Sequence, residues 1–420
     1  MIEPRPSLLD ACRACGSAQM MLFLPMGSHP PANMFVRPED AREPQPAFAL
    51  NAQACLDCGL IQVADQVPEG FFRHYLYIPS GATTMHGHFE RLAHVLTDKA
   101  AGGLIVDIGC NDGLMLGFAN RLGATTLGVD PAANLAAKAA ENGVEVHVAY
   151  FGPETAADLR KDRGPASVIS ASNTLNHIGD LTGFMEAINR LLADDGWFVV
   201  EVPWGRDIIR SNQFDNIYHE HMSEMSLKSL VRLAERTGMA VVDVSYMPVH
   251  GGSMRVFIRK EGVAGSPSSA VFQMLAAEDA AGMNDAAAFT GFADRAHRVG
   301  EDLRALLAGL KAEGKMIAGY GAPAKGNTLL NFARIGPEVL DFLVDRNPLK
   351  QGMLSPGMLI PILDVSAIAE RKPDYLLVLA WNFFDEIRQQ LADYEAAGGQ
   401  FILPIRTPHI VPRVPGGTAT

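Results

Sequence analysis

The feature that most limits how this 420-residue chain can fold is an apolar segment that runs through glycines into a helix. Residues 104–108 read as a buried strand, glycines follow at 109 and 113, and a helix is predicted from Leu114. Such a turn brings backbone N–H groups close to a ligand at the helix amino terminus. The next apolar segment, 126–129, ends in Asp130, where an acid suits the two hydroxyls of an adenine ribose. The chain is therefore predicted to be an α/β protein with a ligand site at the carboxyl ends of parallel strands.

The spacing of this turn distinguishes two kinds of adenosine cofactor. It reads Asp-x-Gly-x-x-x-Gly from Asp107, whereas dinucleotide-binding turns read Gly-x-Gly-x-x-Gly. Asp112 would repel a pyrophosphate, while the carboxylate of Asp107 suits a ligand that carries an ammonium and a sulfonium. The turn resembles the S-adenosylmethionine loop of class I methyltransferases; NAD binding and a purely structural turn are the alternatives. The predicted cofactor-binding residues are Asp107, Gly109, Asn111, Gly113, Asp130 and Asn173.

Later segments continue the order of a doubly wound sheet. Residues 166–171 are predicted as a strand, 181–192 as a helix and 197–203 as the next strand. Ligands bind outside the carboxyl ends of parallel strands, so polar residues there are site candidates. Those residues are Asn173, His177 and Glu201. A lone histidine is more often structural, but the position of His177 beside the predicted methyl donor favours a role in the site.

Segment 213–221, Gln-Phe-Asp-Asn-Ile-Tyr-His-Glu-His, concentrates proton-transfer groups after the last of these strands. Neutral imidazole takes up a proton near pH 7, and an adjacent carboxylate fixes its tautomer or stabilises its charged form. The segment therefore predicts acid–base chemistry at Tyr218, Glu220 and His221. The His-x-His spacing also allows a metal site, and a solvated polar loop is the third interpretation.

Four of the five cysteines lie in two Cys-x-x-Cys pairs near the amino terminus. Two thiolates two residues apart hold one side of a tetrahedral ion, and a second pair closes the site. The pairs therefore predict a structural zinc ion, with a redox role as the alternative. The predicted ligands are Cys12, Cys15, Cys55 and Cys58. The segment between the pairs contains six prolines and is predicted to be extended and irregular.

Composition limits the remaining possibilities. A net charge of −12 provides no basic surface for nucleic acid or an anionic membrane. We find neither a signal-peptide core nor a long apolar stretch, and paired cysteines suit a reducing compartment. A cytoplasmic protein without nucleic-acid or membrane partners is expected. Three domains are predicted: a zinc-binding domain at 1–76, a class I methyltransferase domain at 77–262, and a helical bridge with a Rossmann-like domain at 263–420.

The carboxy-terminal third repeats the strand–glycine turn–helix pattern at 316–327. Lys325, near the start of the predicted helix, suits the neutralisation of a diphosphate. The turn of the middle domain is already assigned to the cofactor, so this second turn is left for the diphosphate. A scaffold role, with Lys325 in solvent, is the alternative. The other predicted elements are an edge strand after a tight turn at 250–257, a helical segment at 267–314, and strands at 339–345 and 375–381.

Several motifs together resemble one enzyme family. They are the Cys-x-x-Cys pairs, Tyr-x-Tyr-x-x-Ser-Gly at 75–81, Val-Asp-Ile-Gly-Cys-Asn-Asp-Gly at 106–113, Glu-Val-Pro at 201–203 and Phe-Asp-x-Ile-Tyr-His-Glu-His at 214–221. The combination is similar to sugar C-methyltransferases of the tetronitrose 3-C-methyltransferase type, which act on nucleotide-linked 4-keto-deoxy sugars. The resemblance spans nearly the whole chain. It implies a class I methyltransferase sheet between a zinc module and a second Rossmann-like domain, with S-adenosylmethionine and zinc as cofactors.

The same resemblance implies roles for individual residues. His221 matches the base that removes a proton from the sugar carbon beside the ketone. Glu220 would orient this base, and His177 or Tyr77 would donate to the enolate oxygen, with Tyr218 also beside the sugar. The predicted substrate-binding residues are Ser80, Glu201, Tyr320, Lys325, Asn327 and Trp381. The chain departs from the family at 222–226, where Glu224 stands in place of an expected aromatic residue.

The sequence thus predicts an S-adenosylmethionine-dependent enzyme that deprotonates a nucleotide-diphosphate 4-keto-deoxy sugar and methylates the resulting enolate at C3. Methylation at C5 or on oxygen is one alternative. A nucleotide-sugar dehydrogenase or epimerase that uses both glycine turns is another. The third is a non-enzymatic module that binds a metal and a nucleotide.

Overall fold

A computed structural model of the chain describes residues 8–64, 71–73, 79–81 and 83–413. These residues form three sheets of four, seven and six strands. Tyr77, a predicted catalytic residue, lies outside the described residues. No helix of the described chain combines the length and apolar character that crossing a membrane requires.

The amino-terminal module is a small antiparallel sheet. Its own strands are β1 (Met20–His29), β2 (Phe48–Cys55) and β3 (Ile61–Val63). The prediction of an irregular segment between the cysteine pairs is therefore wrong in part, because β1 and β2 pair along most of their length. Pro25 is tolerated since β1 is an edge strand, and the register shifts between Pro25 and Ser28.

The middle sheet has the order β10-β11-β8-β7-β4-β5-β6, with β11 antiparallel to β8 and the strands from β8 through β6 parallel. This is the doubly wound arrangement that the sequence predicted. Its chain segment contains α1 (Thr83–Ala100), β4 (Leu104–Ile108), α2 (Leu114–Arg121), β5 (Thr125–Val129), α3 (Ala133–Glu141), β6 (Val146–His147), α4 (Pro153–Arg163), β7 (Ala166–Ser172), α5 (Leu181–Leu191), β8 (Leu192–Pro203), α6 (Gly205–Arg210), β9 (Ser223–Glu224), α7 (Leu227–Arg236), β10 (Met239–Met247) and β11 (Ser253–Lys260).

Two of these strands have unexpected neighbours. β11 was predicted to be an edge strand, but it lies between β10 and β8, because β10 turns back and pairs with it. β9 is not part of the middle sheet. It pairs with β3 and so completes the four-stranded sheet of the amino-terminal module. The segment that contains His221 is therefore attached directly to this module.

The third sheet has the order β14-β13-β12-β15-β16-β17 and is parallel except for β17. The predicted helical segment 267–314 is interrupted near Gly282, whose φ is +72°, and Asp285 caps the second helix through Ala287. The elements are α8 (Glu261–Ala264), α9 (Ser269–Ala280), α10 (Ala286–Ala312), β12 (Ile317–Tyr320), α11 (Ala324–Ala333), β13 (Phe342–Val344), β14 (Ile362–Leu363), α12 (Ala367–Arg371), β15 (Tyr375–Val378), α13 (Phe384–Gln390), α14 (Ala392–Ala396), β16 (Gln400–Leu403) and β17 (His409–Ile410).

Apolar packing joins the amino-terminal module to the third sheet. Phe23 of β1 lies 5.1 Å from Phe289 and 5.9 Å from Phe292, measured between ring centroids. Both partners are fully buried on α10, which packs against α11 as well as β1. Burial of aromatic side chains of this size stabilises an interface strongly. The module therefore holds the middle and carboxy-terminal units in a fixed relation around one cleft.

Candidate active site

A cleft of about 600 Å³ lies where the carboxyl ends of the two parallel sheets meet. Residues that follow β4, β5 and β7 line one half, and residues that follow β12, β13 and β15 line the other. Parallel strands place ligands at these ends, so the cleft is the expected site. The predicted site residues that line it are Ser80, Asp107, Gly109, Asn111, Asp130, Asn173, His177, Tyr218, His221 and Lys325.

Close packing requires glycine in the turn that follows β4. Gly109 has a φ of +73°, and a Cβ atom placed on it would lie 2.2 Å from Oγ1 of Thr174. Thr174 occupies this position because its hydroxyl donates to the carbonyl of Ile108 at 3.0 Å. Gly113 starts α2 with a φ of +73° and faces Ala139, so it shapes the turn without lining the cleft. A side chain at either glycine would displace the loop from the ligand.

Two buried carboxylates face this turn. Asp130 accepts hydrogen bonds from the backbone N–H groups of Asn111 at 2.9 Å and Ala132 at 2.8 Å, which fix its carboxylate at the end of β5. Asp107 accepts from the hydroxyl of Ser170 at 2.5 Å. Burial raises the pKa of Asp107 to about 7, and it also raises the pKa of Asp130. A cationic ligand beside Asp107 would stabilise its ionised form.

Several cleft residues in this half escaped the sequence analysis. They are Ser172, Thr174, Lys138, Tyr150, Phe151 and Phe184. Tyr150 and Phe151 come after the two-residue strand β6, which is too short to show a strand pattern in the sequence. The strand-end rule would have selected them if β6 had been predicted.

The imidazole of His221 lies between two oxygen atoms. Its Nδ1 is 2.7 Å from Oε1 of Glu224, and its Nε2 is 2.5 Å from the hydroxyl of Tyr218. When the phenol donates to Nε2, Nδ1 carries the hydrogen that Glu224 accepts. In this tautomer Nε2 bears the lone pair, as a general base requires.

Burial shifts the pKa values of both His221 and Glu224. It lowers the pKa of His221 well below the ordinary value, and the charge of nearby Lys325 lowers it further. Burial raises the pKa of Glu224 well above the ordinary value, whereas Lys325 lowers it. His221 is therefore neutral at pH 7 and available to accept a proton.

A second imidazole lines the same part of the cleft. The ring of His177 is 4.9 Å from that of His221, and its Nδ1 donates to the backbone carbonyl of Glu220 at 2.6 Å. Burial lowers the pKa of His177 to about 3, so the ring is neutral. With its hydrogen on Nδ1, Nε2 of His177 accepts hydrogen bonds rather than donating them. This geometry favours acceptance of a hydrogen bond from a ligand over the expected donation to an enolate oxygen.

The side chain of Glu220 points away from the cleft. Its carboxylate accepts from the backbone N–H of Asn33 at 2.9 Å and of Ala32 at 3.4 Å, both in the amino-terminal module. The expected contact between Glu220 and His221 is made instead by Glu224, three residues beyond the histidine. Glu220 thus fixes Asn33, which lines the cleft, and holds His177 through its carbonyl.

Only two of the six predicted substrate-binding residues line the cleft. Ser80 does so, and its backbone N–H donates to Asp112 at 3.3 Å on the cofactor turn. Lys325 also lines it, and its Nζ donates to the carbonyl of His250 at 3.2 Å. Ser80, which was predicted to bind substrate, is therefore attached to the glycine turn of the cofactor half.

The other four lie in the surrounding structure. Glu201 is buried and binds His88 of α1 and Arg255 of β11, the latter at 2.8 Å. Tyr320 is buried in the core of the third sheet. Asn327 donates to the carbonyl of Ala32 at 2.8 Å, and Trp381 donates to Asp215 at 2.6 Å. These contacts connect structural units around the cleft, and none of these four residues lines it.

The four predicted metal ligands come together in the amino-terminal module. Sγ of Cys12 is 3.6 Å from that of Cys58, Sγ of Cys15 is 3.5 Å from that of Cys55, and all four lie within 4.8 Å of one another. Tetrahedral zinc with Zn–S bonds of about 2.3 Å needs sulfur separations of about 3.8 Å. The cluster fits a closed zinc site. Among the described residues it is also the only such group of three or more metal-binding side chains, so His219 and His221 do not form one.

A comparison with known proteins identifies the family. C-methyltransferase NovU of Streptomyces niveus is 37% identical over 407 residues, which cover 96% of this chain and 97% of that protein. The chain belongs to this C-methyltransferase family. Family profiles match it as a zinc binding domain at 12–71, a methyltransferase domain at 83–244 and a C-methyltransferase C-terminal domain at 248–406. S-adenosylmethionine and zinc are therefore the cofactors of this C-methyltransferase.

Three other similar proteins each match less than half of the chain. Ubiquinone biosynthesis O-methyltransferase of Bradyrhizobium diazoefficiens is 31% identical over 113 residues, or 27% of this chain and 44% of that protein. The structure of the CcbJ methyltransferase from Streptomyces caelestis is 15% identical with a TM-score of 0.34, and the match covers 44% of this chain and 90% of that one. The structure of magnesium protoporphyrin IX methyltransferase from Synechocystis PCC 6803 is 12% identical with a TM-score of 0.33, and the match covers 42% of this chain and 83% of that one.

The cofactor half of the cleft leads to a first prediction. Asp130→Asn is expected to weaken S-adenosylmethionine binding about 10- to 100-fold, since hydrogen bonds to a charged acceptor contribute about 1.5–3 kcal/mol. Isothermal titration calorimetry measures this change. Asp162→Asn, an exposed acid on α4, is the control and should leave the affinity unchanged. Equal affinities for the Asp130 variant and the unaltered protein would mean that another group holds the ribose.

Proposed function

We propose that this C-methyltransferase acts on a nucleotide-diphosphate 4-keto-deoxy sugar, removes the proton from C3 and methylates the resulting enolate. The observation that carries the proposal is the buried imidazole of His221, with the carboxyl group of Glu224 at Nδ1 and the phenol of Tyr218 at Nε2, in the cleft that Asp107 and Asp130 also line. The sugar class and the C3 position rest on the resemblance of the Tyr-His-Glu-His segment to sugar C-methyltransferases.

The chemistry requires two functions from the chain and one from the cofactor. A carbon becomes nucleophilic only after it loses its proton beside the ketone, so a base must face that carbon. His221 supplies the base, and positioned proton transfer contributes about 10²–10⁴-fold. Donors to the developing enolate oxygen must supply part of the remainder, and the phenol of Tyr218 lines the cleft for this purpose: it donates to Nε2 of His221 here and would turn to the ketone oxygen of a bound substrate. S-adenosylmethionine, when bound, supplies the electrophilic methyl group.

The carboxy-terminal half of the cleft suits the diphosphate. Lys325, Arg346 and Lys350 all line it. Lys325 is the second residue of α11, so its ammonium and the helix amino terminus act on the same anion. The ammonium of Lys350 is held by the carbonyl of Ala322 at 2.8 Å. A substrate that extended from His221 to these cations would carry its reacting carbon and its phosphates at opposite ends.

One incubation tests the proposal. The protein is mixed with methyl-labelled S-adenosylmethionine and a panel of nucleotide-linked 4-keto sugars that differ in base and in deoxygenation. Label on C3 of one sugar, located by NMR, is the expected result. Label on oxygen, label on C5, or no transfer to any member of the panel would each overturn the assignment.

A second prediction concerns the diphosphate. Lys325→Gln is expected to raise the dissociation constant of a free nucleoside diphosphate about 10- to 100-fold, because one charge-assisted hydrogen bond is lost. Calorimetry with UDP and dTDP measures this binding without any reacting carbon. Lys315→Gln, a half-exposed lysine near Asp374, serves as the control and should leave the affinity unchanged. An unaltered affinity in the Lys325 variant would mean that Lys325 does not bind the diphosphate and acts only through its charge on His221.

A further inference from the structure

Glu224 is the side chain that sets this chain apart from the motif it otherwise matches, and its surroundings are unusual. It is 1% exposed and lies on β9, which pairs with β3 through Ile61 opposite Glu224 and Gln62 opposite Ser223. The backbone N–H of Val63 also donates to the carbonyl of Met222. The position of this carboxylate is therefore fixed by a sheet of the amino-terminal module.

The hydrogen bonds of this carboxylate differ from those of other buried glutamates. Glu278 accepts from the indole of Trp204 and from two backbone N–H groups, and Glu201 binds His88 and Arg255. Glu224 accepts from His221 through Oε1, while within the described chain its Oε2 has no hydrogen-bond partner. A buried carboxylate that served folding alone would be expected to have several donors, because an unsatisfied buried acceptor costs about 1–3 kcal/mol.

We propose that Glu224 is a positioning residue for His221, which keeps the hydrogen on Nδ1 and stabilises the imidazolium formed during the reaction. The inference rests on the proposed function. In the step, the phenol of Tyr218 turns from Nε2 to the ketone oxygen, the C–H bond of the substrate breaks, and its proton moves to the freed lone pair on Nε2 of His221. The electron pair of that bond passes to the ketone oxygen as the enolate, and Glu224 stays ionised. The arrangement follows the logic of a carboxylate–histidine pair in which the carboxylate orients the ring without taking its proton.

The charges around the ring suit this role. The titratable groups that face His221 are Tyr218 and Glu224 from its own segment, His177 after β7, His250 before β11 and Lys325 on α11. Lys325 is the cation among them, and its charge stabilises the ionised carboxylate of Glu224. The charge of Lys325 thus opposes the burial that raises the pKa of Glu224, and buried Asp215 acts on both of these groups.

Hydrogen exchange tests the inference without the cofactor. The protein is incubated in D₂O with the keto-sugar that it methylates, and NMR follows the loss of the proton at the reacting carbon. Glu224→Gln is expected to slow exchange by about 10² or more, as loss of a carboxylate partner does in such pairs. Because the carboxylate stabilises the imidazolium, its loss also lowers the pKa of His221. The rise of the exchange rate with pH should therefore move to lower pH and reach a lower plateau.

Matched variants separate positioning from folding. Glu224→Asp keeps the charge and should recover part of the rate and the original pH profile. Glu278→Gln removes a different buried carboxylate and should lower the melting temperature without moving the pH profile. Exchange by Glu224→Gln at the unaltered rate and pH dependence would overturn the inference. Failure of the unaltered protein to exchange any keto-sugar would instead overturn the proposed function.

Discussion

Replacing His221 with asparagine is expected to abolish detectable methyl transfer, with a loss of at least about 10²–10⁴-fold. An amide can still donate to Glu224, but it has no basic lone pair to take a proton from carbon. S-adenosylmethionine should bind with unaltered affinity, since the glycine turn and Asp130 do not contact this ring. Single-turnover transfer of a labelled methyl group, with calorimetry of the cofactor, measures both effects.

His219 provides the matched control. It has the same side chain two residues earlier, yet its Nε2 is 3.1 Å from the carbonyl of Ala49 and its ring packs against Phe48 at 5.9 Å. His219→Asn should therefore lower stability and leave the pH dependence of hydrogen exchange unchanged. Methyl transfer by the His221 variant at a normal rate, or an equal loss in both variants, would remove His221 from the role of base.

The strand-end rule accounts for what the sequence predicted well. Asp107 is the second-last residue of β4, Asp130 follows β5, and Asn173 and His177 follow β7. All four line one cleft. Each could be located because its strand is apolar and is followed by glycine, acid or amide residues. Alternation between strand and helix fixes the edge at which these residues meet, so no long-range information was needed.

Contacts between separate units could not be predicted in the same way. Glu220 and Glu224 lie on either side of His221, and the sequence favoured the adjacent carboxylate. The segment around them has no helical or strand period that would show which side chain faces the ring. The amino-terminal module decides which carboxylate faces the ring, because its β3 pairs with β9 and the backbone N–H of its Asn33 donates to Glu220. Asn327 and Trp381 were likewise predicted to bind substrate, whereas the structure pairs them with Ala32 and Asp215, which are distant in sequence and could not be foreseen.

Because of the same connection, we expect the zinc site to be required for activity, although none of its cysteines lines the cleft. Cys58→Ser is expected to release zinc, unfold the module and reduce methyl transfer by about 10² or more. Structural zinc contributes about 10–16 kcal/mol in small modules, which is comparable to or larger than the net stability of a domain, about 5–15 kcal/mol. The effect would reach the base through two contacts: the hydroxyl of Ser226 donates to the carbonyl of Cys58, and β3 carries β9 with Glu224.

Zinc content, melting temperature and hydrogen exchange of the substrate measure this prediction together. Cys110→Ser, at the fifth cysteine, is the control and should keep one zinc ion per chain, because Cys110 lies on the cofactor turn. If the zinc-free Cys58 variant exchanged the substrate proton at a normal rate, β9 would have to hold Glu224 without the module. The pairing of β9 with β3 argues against this, since a two-residue strand has no stable position unless its partner strand is folded.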